Sequence, residues 1–195
     1  VFLSDMLRNS TFDSVELSRE IEVVLEEIQR AEDNPGGRIA NALFDLAYGV
    51  HRYKSPVLGS AETVSAMTRE QILDFYCKYY RPERITFVAV GNFETANMQE
   101  KIAGFFADWS NPSGFEQAER ALEPVQTELR YRILEEDVKQ SRLSMAWHIP
   151  EVSHPDIPAI DALATVLGHG DSSRLYRSIR QEKELVNDIY SYAYT

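Results

Sequence analysis

Two glutamates seven residues apart carry the strongest chemical signal in this 195-residue sequence. Glu20 and Glu27 lie in the run Arg19-Glu-Ile-Glu-Val-Val-Leu-Glu-Glu-Ile-Gln29. An α-helix advances about 100° per residue. Ile21, Val24, Leu25 and Ile28 then share one apolar stripe. Glu22 and Glu26 point roughly away from it, and Arg30 stands four residues after Glu26 as an ordinary helix-surface partner. Glu20 and Glu27 fall two turns apart on nearly one azimuth, at the shoulder of the stripe, with Val24 between them. Carboxylates on such a rim are costly to desolvate without a cation or hydrogen-bond donors. Two readings follow. They are boundary glutamates reaching to water, as on most charge-rich helices, or they point into a cleft that holds a cation.

Other reactive residues offer less. His51, His148, His154 and His169 include no pair at i,i+3 or i,i+4, the spacings that set two ligands on one helix face. Each reads as a solvated or internally satisfied imidazole. Gly168-His-Gly-Asp-Ser-Ser-Arg174 has a phosphate-loop flavour but lacks the GxxxxGK[ST] lysine. No GxSxG elbow surrounds Ser172 or Ser173. Cys77, the single cysteine, excludes an intrachain disulfide framework and a multi-cysteine zinc ribbon. Beside Phe75 and Tyr76 it reads as a small buried residue.

The elements that must position these groups are legible from periodicity and punctuation. Residues 1–8 read as an amphipathic helix met in its middle, so we expect the chain to be part of a longer protein. A long helix spans about Asp13 to Ala31, with Asp13 or Ser14 as N-cap. Asn34-Pro35-Gly36-Gly37 ends it, and a shorter helix covers about 38–47. Residues 51–60 form a loop. Thr68 with Gln71 three residues on is a capping-box pattern opening a helix to Tyr80. Another helix covers 94–109, a further one 155–167, and one more opens at Ser172 or Ser173. Residues 85–91, 129–134, 141–149 and 189–194 have the apolar alternation or β-branched run of strands. The stretch 111–126 is polar and contains Pro112, Gly114 and Pro124. It is the expected linker between a first domain, 1–110, and a second, 127–195.

Composition narrows the partners. Hydrophobic residues make up 44% of the sequence, which supplies a core and excludes disorder as the main state. Thirty-one acidic against twenty basic residues give a net charge of −11. That argues against a nucleic-acid partner, which needs a basic face, and against docking on an anionic membrane surface. No run reaches the ~18 apolar residues of a membrane span.

The stretch from Phe12 to Pro35 resembles the glutamate-bearing helix of the pitrilysin/insulinase family of zinc metallopeptidases. The resemblance continues in order through Leu43-Phe44, Ala47-Tyr48, Tyr53 to Gly59 (YKSPVLG), Met67-Thr68, Tyr79-Tyr80-Arg81-Pro82, Thr86, Val90-Gly91 and Ser172-Ser-Arg-Leu-Tyr176. In detail the chain resembles bacterial members built as paired half-sized subunits. The resemblance implies an α+β fold, each domain a mainly antiparallel sheet packed with helices. It implies Zn²⁺ held by two histidines of an inverted HxxEH motif and one distant glutamate. That glutamate matches Glu27, and a second family glutamate matches Glu20, which would orient a ligand or the metal-bound water by hydrogen bond.

HxxEH does not occur in this sequence. Family spacing would set it about 75 residues before Glu27. The resemblance therefore implies a zinc endopeptidase subunit for the intact protein, acting on peptides or unfolded polypeptides, with this chain inactive alone. Metal would activate water and polarise the scissile carbonyl, and the motif's glutamate would carry the proton. The alternatives are a non-catalytic scaffold or partner subunit of the same family, or a module that clamps peptides uncut. Active members also draw an arginine and a tyrosine, seven residues apart, from the opposing half. Here those positions hold Arg180 and Asn187, so the pair is expected from a homologous or identical partner subunit. The compartment, periplasm or cell envelope versus cytoplasm, is not legible.

Overall fold

A computed structural model describes residues 2–110, 114–115 and 117–194. Residues 111–113 and 116 of the expected linker fall outside the described residues. Contacts divide the chain into two compact units, 1–145 and 146–195.

In the first unit α1 (Phe2–Arg8) is tied to the end of α6 (Thr95–Phe106). Ser4 Oγ and the Arg8 guanidinium donate to the Phe105 carbonyl at 3.0 and 3.2 Å, and Arg8 pairs with Asp108 at 2.8 Å. The turn after α1 is clamped to α5 (Arg69–Tyr79). The Arg69 guanidinium donates to the Thr11 and Phe12 carbonyls, both at 2.7 Å. The Tyr76 hydroxyl donates to the Leu7 carbonyl at 2.8 Å, and its ring meets Phe12 edge-on at 5.3 Å. These contacts fix where the long helix α2 (Ser14–Glu32) begins.

α2 starts as expected, because Asp13 Oδ1 accepts from the Val15 and Glu16 amides at 2.9 and 3.2 Å and so satisfies two otherwise orphaned donors. It packs against α3 (Pro35–Ala47) and the short α4 (Ala61–Ser65). Asn34-Pro35-Gly36-Gly37 does more than end α2. Asn34 Oδ1 accepts from the Gly36 amide at 2.8 Å and caps α3, which opens on Pro35. A Cβ on Gly37 would lie 2.8 Å from the Ala31 carbonyl oxygen, so only glycine lets α3 leave α2 so closely. The Thr68–Gln71 capping box forms in both directions. The turn of α4 was not foreseen, although Ser60 and Thr63 cap it reciprocally. The residues from 51 to 60 include a 3₁₀ turn, Arg52–Lys54, packed on α3.

The second unit holds α7 (Ile157–Gly168) and a π-helical stretch, Tyr176–Glu182. The chain near Tyr190 and Ser191 passes close over the end of α7. A Cβ on Gly168 would lie 2.3 Å from the Ser191 nitrogen, which makes glycine obligatory there.

The expected α+β fold with antiparallel sheets is corrected by the structure: among the described residues there are helices but no strand and no sheet. The segments 85–91, 129–134, 141–149 and 189–194 form no ladder. Their patterning is real, but a strand requires a second backbone about 4.8 Å away to take its N–H and C=O groups. None of these segments is paired along its length with one, although the Ser191 amide reaches the Gly168 carbonyl at 3.4 Å, and most of their apolar side chains stay in solvent, with Val90 92%, Ile133 75%, Leu143 83% and Trp147 77% exposed. Burial is concentrated under the helices instead. Ile28 of α2 and Val64 of α4 are buried in the first unit, and Ile157 of α7 in the second.

Candidate metal centre

α2 presents the predicted stripe. Ile28 is buried, and Ile21, Val24 and Leu25 are half-buried. Glu20 and Glu27 flank it in solvent, but Glu22 and Glu26 are equally exposed, so exposure does not separate 27 from 26. Among the described residues neither Glu20 nor Glu27 enters a hydrogen bond or ion pair. Glu26 makes no ion pair with Arg30 there either. The ion pair seen on α2 is Arg19 with Glu16, at 2.7 Å.

Zinc in a catalytic site takes three protein ligands and keeps one open position. Among the described residues no group of three His, Cys, Asp or Glu side chains could hold a metal ion. These residues alone therefore do not make a zinc site. Glu27 can offer one carboxylate that no other group consumes.

The histidines stand apart from α2's glutamates in their contacts. His51 Nδ1 accepts from the Tyr53 amide at 3.2 Å, and its ring packs against Tyr48 and Tyr53. His154 Nδ1 accepts from the Asp156 amide at 3.2 Å. His169 follows α7, its amide donating to the Thr165 carbonyl. Arg180 lies over the Tyr176 ring at 4.6 Å, with its guanidinium on the Tyr176 hydroxyl, which spends its charge locally. Asn187 is exposed. Cys77 is exposed rather than buried, because α5 turns it away from the Phe12–Tyr76 contact.

A second carboxylate arrangement was not foreseen. Glu123 accepts from three consecutive backbone amides just past α3: Gly49 at 2.6 Å, Val50 at 2.9 Å and His51 at 2.8 Å. These bonds hold its carboxyl down at about 2, since each N–H favours the charged form. It heads an extended strap that follows α3 on polar tethers. The Arg130 guanidinium donates to the Leu46 carbonyl at 2.9 Å, Arg132 pairs with Asp45 at 2.7 Å, and Glu136 with Arg38. The Arg132 hydrogen bond lowers the Asp45 carboxyl too. The residues around Glu123 give no sign of this. The nearest sequence signal is Gly49, which follows Tyr48, the C-cap of α3.

A family model described as the peptidase M16 inactive domain matches residues 66–195. The chain belongs to the peptidase M16 family. The resemblance to pitrilysin/insulinase peptidases read from the sequence agrees with this. Among M16 relatives, a Bacillus subtilis protein named uncharacterized zinc protease YmxG is 31% identical over 192 residues, covering 97% of this chain and 45% of that protein. A Mycobacterium tuberculosis protein named uncharacterized zinc protease Rv2782c is 31% identical over 92% of this chain and 41% of its own length. The chain thus spans a little under half the length of these curated relatives. The backbone course is shared with a solved Helicobacter pylori protease, at a TM-score of 0.83 and 24% identity over 98% of this chain and 47% of that one. It is shared also with a solved Pseudomonas fluorescens peptidase M16 inactive domain, at 0.70 and 20%, over 96% and 45%. The M16 domain match begins after α2, whereas the YmxG similarity runs along 97% of the chain.

Proposed function

We propose that the complete protein containing this chain is a zinc-dependent endopeptidase subunit that hydrolyses peptides or unfolded polypeptides. Glu27 is its third zinc ligand, and Glu20 stands behind it as the group that orients a ligand or the metal-bound water. Two histidines and the general base of an HxxEH motif complete the site from outside these residues, and this chain alone is inactive. A homologous or identical subunit faces it across the peptide. The observation that carries the reading is an unspent carboxylate at 27, two turns from a second at 20, in a chain similar along nearly its whole length to proteins named zinc proteases.

The test uses the complete protein. Glu27→Gln lowers its zinc content strongly, and Glu26→Gln leaves it near the wild-type value, measured by atomic absorption. Equal zinc in the two variants removes the assignment.

A second reading, a non-catalytic partner subunit, is favoured by one observation: the family model matched over 66–195 is that of an inactive domain. Sequencing the complete protein decides, since HxxEH belongs to the first reading and its absence to the second.

A further inference from the structure

We propose that a cleft in the second unit binds a small oxyanion, the carboxylate or phosphate group of a ligand. The cleft has a volume of about 200 Å³ and is lined by Ser172, Arg174, Arg177, Ser178 and Glu182. The proposal does not depend on the zinc reading, because none of these residues lies on α2.

Three observations converge on the cleft. The first is unspent donors. Among the described residues the guanidinium groups of Arg174 and Arg177 and the hydroxyls of Ser172 and Ser178 make no hydrogen bond or ion pair. Arg130, Arg132 and Arg180, by contrast, are committed to a carbonyl, a carboxylate and a ring. Guanidinium groups present planar forks of N–H donors that match a carboxylate or phosphate in pairs, and hydroxyls add single donors to the same oxygens.

The second is the backbone. Arg177, Ser178 and Glu182 ride on the π-helical stretch Tyr176–Glu182. Such turns are rare and are frequently found at functional sites. Arg174 precedes this stretch by less than a turn and lines the same cleft as Arg177 and Ser178.

The third is charge. Two guanidinium groups against the single carboxylate of Glu182 leave the cleft net positive, on a chain whose net charge is −11. Glu182 makes no ion pair with either arginine among the described residues. It stands as a built-in competitor that an incoming anion meets, which sets the sign of its effect.

The experiment is isothermal titration of the complete protein at low ionic strength, where surface electrostatics are least screened. The probes are inorganic phosphate and a tripeptide with either a free or an amidated C-terminus. Arg174→Gln and Arg177→Gln each weaken binding by about 10-fold or more, the range for a hydrogen bond to a charged group. Glu182→Gln tightens binding several-fold, and Arg120→Gln, an exposed arginine of the first unit, changes nothing. Phosphate binding without a free-peptide effect identifies a phosphate site. Binding of the free but not the amidated peptide identifies a peptide terminus. Either supports the oxyanion assignment. If a glutamine variant loses its circular dichroism, Arg177→Lys keeps the charge without the fork, and intermediate affinity is expected. Absence of millimolar binding by both probes, unchanged affinity in the folded arginine variants, or weaker binding in Glu182→Gln overturns the proposal.

Discussion

The rim of α2 and the strap beside α3 use the same functional group in opposite ways. On α2, Glu20 and Glu27 are exposed and make no hydrogen bond or ion pair among the described residues. On the strap, Glu123 is consumed by three amides and Glu136 by Arg38, while Asp45 of α3 is taken by Arg132. A carboxylate that accepts from three backbone donors holds chain to chain, and a cation would have to compete with those amides for its oxygens. A carboxylate on a rim retains its full coordinating capacity, at the cost of exposing a charge that only water satisfies. The contrast separates acids that build the molecule from acids that remain available for chemistry.

The largest effect expected from probing this contrast comes from beneath the rim. Ile28→Ala empties a buried position under α2 and costs about 2–5 kcal/mol, read as a lowered midpoint in denaturant. The same change at exposed Val23 should cost far less. If both cost the same, α2 is not seated where its stripe places it. Next, Glu20→Gln in the complete protein reduces zinc affinity or activity by about 10–100-fold, the range for a residue that orients a ligand. Wild-type behaviour would leave Glu20 a solvated surface acid.

The strap should respond to acid pH through Glu123. The Glu123 carboxyl is depressed from the ordinary 4.5 to about 2. Its stabilising contribution is therefore complete above the unfolded value and is lost as pH falls through the window from 4.5 to about 2. Protection of the Gly49, Val50 and His51 amides, measured as exchange relative to the intrinsic rate at the same pH, should fall in that window and in Glu123→Gln at neutral pH. Unaltered exchange in the variant would show that the amides are protected by something other than the carboxylate. Asp13→Ala, removing the α2 cap, should cost about 1 kcal/mol. The smallest effect belongs to Glu16→Gln, which breaks the exposed pair with Arg19 and should shift stability by less than about 1 kcal/mol.

The helices were legible because their signals are local. The Asp13 cap, the Thr68–Gln71 box and the 3.6-residue stripe from Ile21 to Ile28 each act within a turn or two, so the sequence carries them whole. The capped turn of α4 was just as local, in Ser60 and Thr63, but too short for a periodic stripe to announce it. The alternation at 129–134 and 141–149 suggested strands, and the structure has no sheet there. Extension is a property of one segment, whereas a ladder is a property of two. Glu20 and Glu27 were placed on their helix by spacing alone, but exposure in the fold leaves 26 and 27 alike.

Composition, caps and helical period thus indicated by themselves the longer helices, where α2 begins and which of its side chains face inward. Only the tertiary structure decided that Glu123 reaches back more than seventy residues to three amides past α3 and that the backbone at Ser191 returns over Gly168 and leaves no room for a Cβ there. Those outcomes depend on which distant groups meet, and no local rule in a sequence encodes the distance between residues far apart along the chain.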